Sequence, residues 1–340
     1  MNKYIALSCI LFFSCATSQD NNTSNPVTYA ESITAEELKE HLYTYASDEF
    51  LGRETGTAGE TKAINYLKSN YQALDITGGM PNGDYFMPMT LNSYRENKMI
   101  DANNVLAYIS GSEKPEELLV ITAHLDHIGV EEDGQINNGA DDDGSGTVAI
   151  LEIAEAFQLA VEAGARPKRS VLFLHVTGEE KGLLGSKFYT DNPVYPLENT
   201  VANLNIDMIG RIDSLHDDNP NYVYLIGSDI LSQDLHDVSA AMNDAYINLD
   251  LDYRYNDPTT EVFERGRYIQ NRYYYRSDHY NFAKNEVPVI FYFNGTHADY
   301  HAPSDTVEKI EYELLEKRTR LIFHTAWEIV NRDERLRLKE

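Results

Sequence analysis

The chain has 340 residues, a formal net charge of −27 and an apolar content of 42%. So acidic a balance excludes a nucleic-acid binder, which needs a basic footprint against phosphates, and so apolar a composition excludes a disordered chain. No apolar run reaches the roughly 18–20 residues that a membrane-spanning helix needs, and the length suits one large domain.

Residues 1–15 (MNKYIALSCILFFSC) carry Lys3 and then an apolar stretch from Tyr4 to Phe13, the size of a secretory signal core. The Ser14-Cys15 pair resembles a bacterial lipoprotein processing site, with Phe12 standing where Leu is usual. A plain secretory signal cut a little later is the alternative. The expectation is an exported cell-envelope lipoprotein of the outer membrane or periplasm, touching the membrane only through lipid on Cys15. With Cys9 removed and Cys15 lipidated the mature fold has no thiol, which excludes disulfides and thiolate metal sites. Residues 16–33 are polar and turn-rich and read as a tether, so folding is expected over residues 34–335.

Thr34-Ala-Glu-Glu37 reads as a capping box, and Leu38, Leu42 and Tyr45 follow at helical spacing. A Gly-rich turn from Leu51 to Gly59 leads to a second helix, with Thr57 and Glu60 as its capping box and Ile64, Leu67 and Tyr71 as its apolar face. From about residue 103 the pattern changes. Apolar runs at 104–109, 118–122, 170–176, 201–206, 222–226 and 287–293 read as strands. Helices are expected over 145–164, 182–190, 230–245 and 312–331. Strands that are apolar on both faces, alternating with helices, argue for an α/β sandwich with a largely parallel sheet.

Four of these strands run straight into residues that carry chemistry. The run at 118–122 leads to His124-Leu-Asp126, that at 170–176 to Gly178-Glu179-Glu180, that at 201–206 to Asp207, and that at 287–293 to a loop ending Tyr300-His301. In open α/β sheets ligands sit at the carboxyl ends of strands, so such loops converge. A fifth segment, Gly139-Ala-Asp-Asp-Asp-Gly-Ser-Gly146, begins the long helix. Singly, these are ordinary surface pairs, helix starts and turns. Together they pose a charge problem. Asp142, Glu180 and Asp207, if brought within about 4 Å, would repel by about 4 kcal/mol per pair at an effective dielectric of 20. Only a cation relieves that. Two imidazoles and three carboxylates suit zinc or a similar divalent ion. Two Zn2+ ions, three carboxylates and one hydroxide sum to zero charge, which favours a two-metal hydrolytic centre.

The segments at 124–126, 139–146, 178–180, 205–211 (NIDMIGR), 277–279 (SDH) and 300–306 (YHAPSDT) resemble the co-catalytic zinc exopeptidase family. That family includes bacterial leucyl aminopeptidases, glutamate carboxypeptidase and glutaminyl cyclase. The match runs over roughly residues 35–330 with every motif in order, and the turn from Gly52-Arg53 to Gly59 resembles the family's opening segment. The resemblance implies a three-layer α/β/α sandwich around a mixed, largely parallel sheet, with one catalytic domain over 34–335 and no inserted protease-associated domain. It implies that Asp142 bridges two Zn2+ ions, one completed by Glu180 and His301 and the other by His124 and Asp207. It also implies that Asp126 accepts from the second ring nitrogen of His124, that Glu179 is the general base, and that Tyr300 donates to the tetrahedral oxyanion. A cis peptide bond at Asp142-Asp143 belongs to the same pattern.

The implied activity is removal of N-terminal residues from peptide substrates. A carboxypeptidase or dipeptidase on the same site, a glutaminyl cyclase and a non-catalytic binding module are the alternatives. Asp143 and Ser145-Gly146 favour the peptidase over the cyclase. Apart from Lys181, no Lys or Arg lies within three residues of an implied ligand, which favours an ammonium over a carboxylate terminus. Arg211, Arg276 and the group from Arg265 to Arg272 are the nearest candidates for holding a carboxylate. Asp141 is expected to be a solvated neighbour. Asp278 and His279 either line the pocket or cap a helix, and His127 and His297 are candidates for touching substrate. His41, His175, His216, His236 and His324 read as structural. The Tyr-rich stretch Tyr246–Tyr275 is either a specificity wall or an edge hairpin with aromatic cross-strand pairs.

Overall fold

In the computed structural model, which describes residues 25–93, 97–264 and 266–339, a mixed sheet carries the chain and helices cover both faces. Cys9, Cys15, residues 16–24 of the expected tether and Arg265 lie outside the described residues. The strands are β1 (Thr77–Gly78), β2 (Phe86–Ser93), β3 (Lys98–Ile109), β4 (Lys114–His124), β5 (Gly129–Val130), β6 (Ile136–Asn137), β7 (Arg169–Val176), β8 (Thr200–Ile206), β9 (Tyr222–Ile226), β10 (Asp250–Asp252), β11 (Glu261–Glu264), β12 (Arg267–Gln270) and β13 (Val289–Phe293). The helices are α1 (Pro26–Ala30), α2 (Ala35–Tyr45), α3 (Ala58–Ala73), α4 (Gly146–Glu162), α5 (Leu184–Asp191), α6 (Gln233–Met242), α7 (His279–Ala283) and α8 (Tyr312–Asn331).

The main sheet runs in the order β1-β3-β7-β4-β8-β13-β9-β10, with β2 also paired to β3. Its central neighbours β7, β4, β8 and β13 are mutually parallel, and β3 and β9 flank them antiparallel. The two-residue pleat sorts each central strand between two cores. In β4, Leu119, Ile121 and Ala123 face a layer built from α1–α4, α6 and α8, while Leu118 and Val120 face α5, α7 and the Tyr-rich segment. Helix α4 is apolar almost all round because it is enclosed by the sheet and by α1, α2, α3 and α8.

Helix α2 starts at the expected cap, with the Thr34 hydroxyl accepting from the Glu37 N–H at 3.2 Å. The second capping box forms only in part. Thr57 accepts from the Gly59 N–H, but Glu60 turns into the interior, accepting from the Gly56 N–H and the Thr177 hydroxyl, both at 2.6 Å. Folding begins earlier than Thr34. Asn25 caps α1, Pro26 stands in its first turn, and Tyr29, Ala30 and Ile33 are buried, Tyr29 against Trp327 with ring centroids 5.4 Å apart. Strand β2 was not expected, because Pro88 interrupts its pattern. Proline is tolerated there since β2 pairs on one side only, with β3.

A buried arginine ties the first turn to the loops around the sheet edge. Arg53 donates to the carbonyls of Leu125 (3.2 Å), Tyr45 (3.3 Å), Asn138 (2.6 Å) and Gly139 (2.8 Å), and its guanidinium lies over the Tyr45 ring. Arg53→Met fills the space but strands buried acceptors, so unfolding free energy should fall by ~3 kcal/mol or more, read from urea denaturation. An unshifted midpoint would show that these bonds are dispensable.

Candidate metal centre

Because β7, β4, β8 and β13 are parallel neighbours, their carboxyl ends open on one edge of the sheet. His124 is the last residue of β4, Glu179 and Glu180 follow β7, Asp207 follows β8, and His301 lies in the loop after β13. Asp142 enters from the turn before α4. His124 Nε2 is 3.2 Å from Asp142 Oδ1 and 3.6 Å from Asp207 Oδ1. His301 Nε2 is 3.1 Å from Asp142 Oδ2 and 3.1 Å from Glu180 Oε2. One oxygen of Asp142 therefore faces each histidine, and two donor sets share a single carboxylate. The five side chains expected to hold metal are brought together. Left-handed backbone marks the neighbourhood: Gly178 (φ 69°) precedes the Glu179-Glu180 pair, Met208 (φ 57°) adjoins Asp207, and His301 itself takes φ 56°. The Asp142-Asp143 peptide bond is cis.

A second set of acids holds the loops in place. Asp143 Oδ1 accepts from the N–H groups of Gly146 (2.9 Å) and Met208 (3.1 Å), and its Oδ2 accepts from the His124 N–H at 3.2 Å. Asp143 also lies within metal-binding reach of His124 and Asp207, but both of its oxygens are taken by backbone. Asp305 Oδ2 accepts from the N–H groups of Asp141 (3.0 Å) and Asp142 (3.2 Å). The role expected of Asp126 is corrected. Its carboxylate lies 3.9 Å from His124 Nδ1, whereas its own backbone carbonyl meets that nitrogen at 3.0 Å. The His124 ring is still oriented, by a carbonyl that two-residue spacing folds back onto it. The Asp126 carboxylate instead accepts from the Thr55 hydroxyl (2.8 Å) and the Glu179 N–H (3.2 Å), so it positions the backbone of Glu179.

Other expectations are settled by packing. Asp141 is fully buried rather than solvated, because the turn before α4 is wedged between the end of β8 and the loop after β13. Its Oδ1 accepts from Gly210 N–H (2.7 Å) and the Ser145 hydroxyl (2.9 Å), and its Oδ2 lies 3.1 Å from His297 Nε2. Asp278 stands at the N-terminus of α7 but does not cap it, and instead accepts from the Ser186 hydroxyl. His279 is buried against Phe291. His41, His175, His216 and His236 engage Tyr66, Tyr71, Asp213 and Ser228 respectively, and His324 stacks on Tyr246. His127 is the residue the sequence placed least well. It is buried, with Nδ1 3.0 Å from Glu180 Oε1.

The electrostatics show a site built for cations. Burial alone would lower the His124 and His301 imidazoles, yet contacts with Asp142, Asp207 and Glu180 outweigh it, pushing His124 well up and His301 to about 10. The same contacts hold Asp142 below the usual carboxylate range despite its burial. Burial and the adjoining carboxylates Glu180, Asp207 and Asp278 push Glu179 well up. Burial does the same to the Tyr300 phenol, which therefore stays a donor. Asp142 Oδ2 is buried without a hydrogen bond, and the converging atoms are imidazole nitrogens and carboxylate oxygens, the donor chemistry that suits zinc.

His124, Asp142, Glu179 and Asp207 line a cavity together with Met208, Tyr273, Arg276, Phe291 and Tyr300. A second cavity adjoins it, sharing Tyr273, Arg276, Thr296 and Tyr300 and adding Leu215, Phe263 and His297. The Tyr-rich segment forms the expected hairpin and also lines the two cavities. Its β11–β12 hairpin pairs Phe263 with Tyr268 across the strands, and it supplies wall residues to both cavities.

Residues 104–326 match Peptidase family M28. The chain belongs to that family. M28 relatives include leupeptin-inactivating enzyme 1 of Streptomyces exfoliatus, 27% identical over 79% of this chain and 50% of its own length. A probable glutamate carboxypeptidase of Arabidopsis thaliana is 34% identical over 36% of this chain and 16% of its own. The chain thus spans half or less of these relatives. A zinc aminopeptidase of Bacillus subtilis shares the fold at a TM-score of 0.65, with 16% identity over 88% of this chain and 96% of that one.

Contacts with Asp142 and Glu180 raise the His301 imidazole to about 10, so without metal it carries a proton at pH 7 that it would lose on coordinating an ion. Zinc titrated into the protein at pH 7 should therefore release protons, and affinity should weaken on acidification. Calorimetry in buffers of different ionisation enthalpy reads this directly. Heats that do not depend on the buffer would contradict it.

Proposed function

We propose that the protein is a two-zinc aminopeptidase that hydrolyses N-terminal residues from peptides. The observation that carries this reading is the shared carboxylate, with one Asp142 oxygen toward His124 and Asp207 and the other toward His301 and Glu180. In this reading His124 and Asp207 hold one ion, Glu180 and His301 the other, and Asp142 both. Bound zinc supplies Lewis acidity, polarising the scissile carbonyl and acidifying water toward neutrality. Glu179, its backbone held by Asp126, takes the proton from the attacking water and delivers it to the leaving amine. Tyr300, protonated and stacked on His301 with ring centroids 3.9 Å apart, donates to the developing oxyanion. Glu179, Asp142 and Asp207 give the cavity an acidic lining, which favours an arriving ammonium.

One observation favours a second reading. Arg276 lines both cavities, and an arginine beside the reaction centre suits a terminal carboxylate, as a carboxypeptidase or dipeptidase requires. Matched peptides decide between them. A dipeptide anilide with a free amine should be cleaved, and acetylating that amine should abolish turnover. Faster cleavage of blocked peptides with a free carboxylate would establish the second reading. Glu179→Gln should lower the rate at least ~100-fold while zinc content stays near two per chain.

The apolar N-terminal segment and the Ser14-Cys15 pair support export and lipid anchoring. Cys15→Ser should release active enzyme from the membrane fraction. Native protein that carries no lipid by mass spectrometry would point to a plain secretory signal instead.

A further inference from the structure

His127 is buried beside the donors, its Nε2 makes no hydrogen bond, and the groups within reach of its Nδ1 are carboxylates of the centre. A buried imidazole is costly unless its polar atoms are used, so this placement calls for a role. Its surroundings are specific. Nδ1 lies 3.0 Å from Glu180 Oε1 and 3.7 Å from Asp142 Oδ2, and the ring packs edge-on to His301 at a centroid distance of 5.7 Å. The turn that carries Asp142 is shaped around this ring. Gly139 takes φ +54°, and a Cβ there would come within 2.5 Å of His127 Cγ. Glu180 is divided between two imidazoles, with Oε2 at 3.1 Å from His301 Nε2 and Oε1 at His127 Nδ1.

We propose that His127 is a positioning residue which donates its Nδ1–H to Glu180 Oε1, leaving Oε2 as the single oxygen offered to the metal. A glutamate held in this way cannot swing into two-oxygen binding, so the coordination position it would otherwise occupy stays open to substrate. The inference rests on the two-metal reading above and adds a residue that reading does not use. It places a hydrogen-bond donor behind the Glu180 side of the centre, where the Asp126 carbonyl serves as an acceptor behind His124 on the other.

The test uses the zinc-loaded enzyme and reads metal affinity by chelator competition. His127→Asn sets an amide N–H close to where Nδ1 was, and His127→Leu removes the donor. The leucine variant should hold one of its two ions 10–100-fold more weakly, while the asparagine variant stays within about threefold of wild type. The ion that remains tight reports an intact fold in both. Unchanged affinity in the leucine variant would overturn the proposal. Equal loss in both variants would also overturn it, in favour of His127 as a direct ligand. In the wild-type protein, nitrogen-15 spectra of the histidines should show a protonated Nδ1 on His127 with zinc bound, and a bare Nδ1 would refute the assignment. Failure of the two-metal reading itself looks different, since wild type would then bind fewer than two ions.

Discussion

Three carboxylates brought together in a largely buried pocket must be offset by positive charge, and the architecture around this site follows from that demand. The fold separates its acids into two groups. Asp126, Asp143 and Asp305 accept backbone N–H groups, whose dipoles satisfy them without adding net charge. Asp142, Glu180 and Asp207 are left facing imidazoles, while Lys181 and Arg211 of the same loops pair with Glu54 and Asp299 instead. The first group fixes where the loops run, and the second leaves its charge available to bound cations.

The sheet makes that division workable. Four parallel neighbours deliver their ends to one edge, so donors separated by nearly two hundred positions in the chain meet without long connecting loops. Backbone N–H groups from one loop then reach carboxylates of the next. Asp143 is the clearest case, since it binds the end of β4 and the exit of β8 at once. Arg53 performs the matching task from outside, where its guanidinium gathers the carbonyls that the N–H network leaves over.

Much of this was legible in the residues. Each donor follows an apolar run within a few positions, so the strand pattern and the sheet rule together bring His124, Glu180, Asp207 and His301 to one edge. What sequence left open concerns direction rather than identity. His124 and Asp126 were correctly paired, but a carbonyl carries no residue label, and it was the carbonyl that met the ring. Asp141 looked like a solvated neighbour at a variable position of its motif, and nothing in the triplet says that all three aspartates turn inward. His127 stands one position past Asp126 with no mark to separate it from a surface histidine. Strand β2 hid behind Pro88, whose tolerance depends on an unpaired edge, and edges are a property of the sheet.

Strand β13 enters the sheet between β8 and β9, both made much earlier in the chain, and His301 follows it. A chain ending before residue 289 therefore has a gap in the middle of its sheet and lacks one imidazole of the centre. Four of the five donors are present by Asp207, but they face an opening instead of a wall. The set of five donors is thus completed only when β13 and the loop after it are in place, late in the chain.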